Sequence, residues 1–151
     1  MLQIPNIATA GELIERAFHK AARVQIADRE RFYKLKKSSI AKLQSVSQTL
    51  DAALTSYVKA FPSFEQLHPF QSELLDLLLS LDRLKKSLGA LDWARKKILA
   101  LSGEELTLMR RSRDLAVIDR HREAAYGRIA SVVKQVGKDL DFLIEARQRI
   151  R

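Results

Sequence analysis

LDRLKKSLGALDWARKKILALSGEELTLMRR, residues 81–111, decides the fold. Leu84, Leu88, Leu91, Ala94, Ile98, Leu101 and Leu108 fall at steps of three, four and seven, which draws one apolar stripe down a helix. The stripe keeps phase through Ser102-Gly103 and so predicts a single helix from Leu81 to about residue 111, kinked at that pair if anywhere. The competing reading ends a helix at Leu101 and starts another, with Ser102 as cap and Glu105 closing a capping box.

The same period extends outward in both directions. Leu115, Ile118, Ala125, Ile129, Val132, Val136, Leu140, Leu143 and Ile150 predict a last helix over about 114–150. Gly127 and Gly137 lie inside it; Gly127, beside Ala124 and Ala125, points to close approach of another backbone. Upstream, Leu35, Leu43, Val46, Leu50, Leu54, Tyr57 and Phe61 predict a helix over 29–60, ended by Pro62-Ser63. Residues 61–69 read as a loop. Pro69 then suits the first turn of a short helix to Leu79. Its leucines at 74, 75, 77, 78 and 79 cover too many faces for a surface helix, so it is expected to be buried between neighbours. Thr9 and Glu12 form a capping box for a helix over 10–22, after an extended lead-in over residues 1–8. The fold class that follows is all-α: an elongated antiparallel bundle of long helices with a short N-terminal helix and a short buried apolar one. It forms one domain over 1–151.

The chain has no Cys, which excludes disulfides, thiol catalysis and Cys-based zinc sites. Nothing in it reads as a secretory signal or a membrane span, and a cytoplasmic location is expected. Lys and Arg number 27 against 18 Asp and Glu, a net charge of +9. Excess positive charge favours polyanionic partners.

Constellations for catalysis are weak. Glu65-x-x-His68 has the spacing of a di-iron ligand pair, but no second copy exists; His68 is better read as anchoring its loop through hydrogen bonds. Glu15 and His19 supply two ligands at most. His121 sits between Arg120 and Arg122, a poor place for a metal and a fair one for phosphate. Gly137-Lys138-Asp139 lacks the earlier glycine and the Ser or Thr of a phosphate loop. The chain itself is therefore expected to have no enzyme activity, no GTP site and no bound cofactor or metal.

The basic clusters are better candidates for function. Arg29, Arg31, Lys34, Lys36 and Lys37 surround Phe32 and Tyr33, cations and aromatics in the mixture that suits RNA. Phe32 fits the apolar stripe and is read as core; Tyr33 is the surface candidate. Arg110, Arg111 and Arg113 sit where one helix should turn into the next, where guanidiniums can grip phosphates bidentately. Arg120, Arg122, Arg128 and Lys134 continue a basic edge. Arg95, Lys96 and Lys97 form a further run, equally readable as solubility charge.

Phe32-Tyr33-x-x-Lys36, Phe61-Pro62, Leu67-His68-Pro69-Phe70, Gly127-Arg128, Lys134 and Glu145-Ala146-Arg147-Gln148 occur in an order and spacing that resembles the N-terminal helical domain of the nucleolar GTP-binding protein family. The similarity spans about 28–151, and the Ala-, Leu- and Arg-rich composition looks archaeal. The resemblance implies a role in large ribosomal subunit assembly. It also implies a GTPase domain, with GTP and Mg, beginning past Arg151. The partners it implies are pre-ribosomal RNA, that GTPase domain and ribosomal proteins, with no membrane. It makes Phe61 and Phe70 core anchors and Gly127 a packing contact. Two other classes stand beside it: a helical protein-interaction module, and a membrane-surface bundle that would need an exposed bulky apolar face.

Overall fold

A computed structural model describes residues 4–62 and 66–150. These form six helices: α1 (Ala10–Ala22), α2 (Arg31–Ala60), α3 (Pro69–Leu78), α4 (Leu81–Arg111), α5 (Leu115–Gln135) and α6 (Gly137–Ile150). No strand occurs among the described residues. α4 runs unbroken through Ser102 and Gly103, as its stripe predicts. It packs against α2, α5 and α6, and α1 lies across α2 and α5.

The core follows the stripes. Leu43, Leu54, Leu91, Ile98, Met109, Ile118, Ile129, Leu140 and Leu143 are fully buried. Each such side chain contributes roughly 1.5–3 kcal/mol by leaving water. Ser39, Ser47, Ser87 and Ser102 are also buried. Two of them bridge helices by hydroxyl donation, Ser39 to Asp119 Oδ1 and Ser87 to Asp139 Oδ1, both at 3.0 Å. Leu35 and Leu108, which share the apolar period, instead stand exposed near the bundle end where α2 begins and α4 finishes.

The lead-in is tied down from Ile4 onward; residues 1–3 of it lie outside the described residues. Thr9 and Glu12 form the expected capping box on α1. Ala8 N–H donates to the buried Tyr57 hydroxyl at 3.1 Å, and Arg147 Nε donates to the Ile4 carbonyl at 3.0 Å. The first described residues are thereby pinned to the last helix.

Three expectations are corrected. The last helix is not continuous from 114 to 150. Val136, at φ −100° and ψ 15°, interrupts it, and its N–H turns back to the carbonyls of Val133 and Lys134. The apolar period survives the break because α5 and α6 both bury against α4, so periodicity alone cannot reveal it. Gly127 is not a packing contact: a Cβ built there meets nothing within 4 Å. Of the two, Gly137 is the one with a neighbour: a Cβ there would lie 3.6 Å from that of Ala10 in the first turn of α1, an ordinary van der Waals contact. Gly127→Ala should therefore raise stability by about 0.5–1 kcal/mol through its helix preference, read as a higher urea midpoint at unchanged slope. A loss would restore the packing role.

The third correction concerns α3. It forms where the sequence places it, with Pro69 in its first turn and His68 Nδ1 accepting from Phe70 N–H at 3.2 Å. His68 anchors its loop in this way. Yet α3 is not enclosed between neighbours. Leu75 is its one buried residue, with Leu79 buried just beyond its end. Phe70 is 67% exposed and Leu77 85% exposed. Phe61 is a core anchor and Phe70 is not.

Candidate nucleic-acid interface

α2 begins, α4 ends and α5 begins at one end of the bundle, and Lys36 joins them. From the second turn of α2, its ammonium donates to two carbonyls, Arg110 O at 2.8 Å and Ser112 O at 2.7 Å. The C-terminus of a helix carries unsatisfied carbonyls and partial negative charge, so a cation there is favourable. The connection to α5 is short and braced. Ser112 Oγ accepts from Asp114 N–H at 3.2 Å, and Asp114 Oδ1 caps α5 by accepting from Ala116 N–H at 2.9 Å.

This pin brings together two clusters that lie more than 70 residues apart in sequence. Arg29, Arg31 and Lys34 surround the start of α2; Arg110, Arg111 and Arg113 surround the end of α4. All six are exposed, and none makes a hydrogen bond or ion pair through its side chain with a described residue. The nearby carboxylates are largely engaged. Asp114 serves as the cap, and Asp28 accepts from Lys37 Nζ at 2.7 Å. That Lys37 bond, with the Glu30 N–H, holds the Asp28 carboxyl below the usual carboxylate range. Glu30 alone stands among these cations without a side-chain bond.

Two aromatic rings sit in the same patch. Phe32 and Tyr33 meet edge to face, centroids 5.2 Å apart. Tyr33 is 47% exposed, as a stacking platform must be. Phe32 is half-buried and lies outside the packed core, a correction to its reading from the stripe. It supports Tyr33 at the rim.

The remaining basic residues divide. Arg120 is exposed on the second turn of α5, with no side-chain pair among the described residues. Arg122 is mostly covered: Nη1 lies 3.8 Å from Asp119, the guanidinium sits over the Tyr126 ring at 5.8 Å, and its buried Nε has no hydrogen-bond partner. Burial raises the Tyr126 hydroxyl above its ordinary range. Arg128 is 3.9 Å from Glu105, a buried carboxylate that also takes His121 Nδ1 at 2.8 Å. His121 thus faces a carboxylate and is not presented to a phosphate. Lys134 is exposed but lies in the last turn of α5, about 30 Å along that helix from Arg113 by its rise per residue. The expected continuous basic edge is therefore an end cluster plus scattered charges. The mid-helix run is partly paired: Arg95 with Asp51 of α2 and with Asp92, Lys96 with Asp92, while Lys97 is exposed and has no side-chain pair among the described residues. Lys96 and Arg95 together hold Asp92 below the ordinary carboxylate range.

The other candidate constellations resolve into structural contacts. His19 Nε2 lies 2.8 Å from Arg23 Nη2, so that ring nitrogen is already engaged by a guanidinium. Asp139 receives the Ser87 hydroxyl. Glu65 lies outside the described residues. Among the described residues no group of three or more His, Cys, Asp or Glu is placed to hold a metal, and no helix is long and apolar enough to cross a membrane.

Lys36 is the residue whose part the sequence conceals. It reads as one more phosphate contact, yet its ammonium is held by two protein carbonyls. The only local hint is the absence of a Gly cap after Arg111. Lys36→Met should cost about 1–2 kcal/mol, since two charge-assisted bonds at a part-exposed site are lost, and should fray the end of α4. Amide exchange across residues 107–112 measures this; unchanged protection there would deny Lys36 the pin.

Residues 2–151 match the family model described as the NOG1 N-terminal helical domain. Among similar proteins, Nucleolar GTP-binding protein 1 of Caenorhabditis elegans is 31% identical over 109 residues, 72% of this chain and 16% of that protein. Nucleolar GTP-binding protein 1 of Saccharomyces cerevisiae is 25% identical over 150 residues, 97% of this chain and 23% of that protein. An uncharacterized protein of Methanocaldococcus jannaschii is 24% identical over 153 residues, 99% of this chain and 44% of that protein. The chain spans less than half the length of each of these relatives.

Proposed function

The chain belongs to the NOG1 N-terminal helical domain family, and from that premise we propose that it is the RNA-docking domain of a GTP-binding protein that acts in large ribosomal subunit assembly. In this reading the GTP-binding portion, with its Mg, follows residue 151. The helical domain holds pre-ribosomal RNA and positions that portion, with ribosomal proteins as neighbours. Relatives of this chain carry the words nucleolar and GTP-binding in their names, which supports both halves of the proposal.

The observation that carries it is the end cluster. Six cations without a side-chain pair among the described residues, at one end of a bundle and beside an exposed Tyr ring, are placed to neutralise backbone phosphates and release counterions. Charge kept only for solubility would be scattered along the helices, as Lys59 and Lys97 are, and not gathered at one end. With few base-reading groups present, recognition would rest on RNA shape and phosphate spacing. The test is binding of the chain to large-subunit rRNA fragments across a salt series. Steep salt dependence, weakened by charge removal at Arg110, Arg111 and Arg113 and indifferent to charge removal at Lys96, supports RNA docking. Binding that ignores both sets of residues would leave the domain as a protein-interaction module.

A further inference from the structure

We infer that the bare face of α3 is the seat of the GTP-binding portion. α3 is apolar on two sides, and the described residues cover only one. Leu75 turns inward to the core, where it is 4% exposed. Phe70, Leu74 and Leu77 follow at steps of four and three on the opposite side, with Phe70 and Leu77 widely exposed and Leu74 half-buried. A helix apolar all round belongs between two layers. Among the described residues the outer layer is missing.

Two observations say what fills it. The family description places this domain at the N-terminus, and the chain covers from 16% to 44% of the relatives compared above; the remainder of those proteins therefore lies largely beyond its C-terminal end. That end comes out beside α3. α6 packs on α3, and in its last turn Arg149 Nη1 donates to the Leu78 carbonyl at 3.4 Å. A domain joined after residue 151 starts within reach of Phe70 and Leu77. The inference rests on the domain order proposed above. It adds the contact surface, and it requires the partner to present an apolar patch with few charges at its centre.

The test compares amide hydrogen exchange in residues 69–78 between the chain as given and the gene's full-length product. Expected is at least tenfold slower exchange of α3 in the full-length protein. The F70Q/L77Q double variant should remove that slowing and release the GTP-binding portion to limited proteolysis after residue 151. The same variant should bind rRNA fragments as the parent does, because the basic end is untouched. Equal exchange in both forms overturns the inference and leaves RNA docking standing. So does a concentration-dependent dimer of the isolated chain that F70Q/L77Q abolishes, since a second copy would then be the occupant. A gene product that stops near residue 151 overturns the domain order and this inference together.

Discussion

Replacing Arg110, Arg111 and Arg113 together by Gln is expected to weaken rRNA-fragment binding about a hundredfold near physiological salt. Each phosphate neutralised adds close to one unit to the slope of log affinity against log salt. Removing three such contacts should flatten that slope by two to three units, and near 0.15 M salt this corresponds to about two orders of magnitude. The fold should survive. All three side chains are exposed, and the carbonyls that Lys36 takes belong to the main chain. Salt-series titration of parent and variant reads both quantities. A variant that loses affinity with an unchanged slope would mean that the guanidiniums act through protein structure and not through phosphates.

Met109→Ala is the second large effect, and it falls on the link between core and surface. Met109 is fully buried one residue before the arginine pair, and its carbonyl receives the Ser112 N–H that closes α4. Truncation opens a cavity where α4 meets the turn into α5. The expected loss is about 2–5 kcal/mol, a fall in midpoint temperature of about 10 °C for a domain of this size. Met109→Leu keeps the volume and should cost under about 1.5 kcal/mol. The Ala variant should also loosen the basic end, so its RNA affinity should fall more than its net charge, unchanged, would explain. Thermal denaturation with the same salt series decides it. A stable Met109→Ala protein would show that this end of the core collapses without penalty.

What the sequence shows of this molecule is what local spacing encodes. The stripe through Leu84, Leu91 and Ile98 carries α4 past Ser102-Gly103, and the Thr9–Glu12 box marks the start of α1, because both signals reside within a few turns of one helix. Val136 escapes because a break that leaves both halves buried on the same neighbour does not disturb the period. Gly127 and Gly137 look alike in sequence; only the position of Ala10, over 120 residues away, separates them. Phe32 reads as core because it fits the apolar stripe, and Phe70 because the resemblance makes it an anchor, yet Phe32 is only half-buried and Phe70 is exposed.

The candidate site divides in the same way. Its residue types were visible as runs of Lys and Arg, and their number alone points to a polyanion. Which of them are free was not visible. Pairing depends on Asp28, Asp51, Asp92 and Glu105 reaching across turns or helices, and the union of the two clusters depends on Lys36 spanning α2 to α4. The pairs of Asp92 lie within one helix, but those of Asp51 and Glu105 and the Lys36 pin follow from the packing of helices against one another, and no short window of sequence contains them.

The continuity of α4 has a mechanical consequence. Thirty-one residues without a break make a rod of about 46 Å, with the cation cluster at its C-terminal tip and α3 and α6 gathered near its N-terminal start. Under the proposed reading, a domain joined beyond residue 151 would act on bound RNA through a stiff strut and not through a joint. A tilt of about 10° imposed at the α3 end would sweep the arginine end through about 8 Å, by the length of the rod alone. A small rearrangement on one side of the bundle is thus delivered as a large displacement on the other, with no change of shape between them.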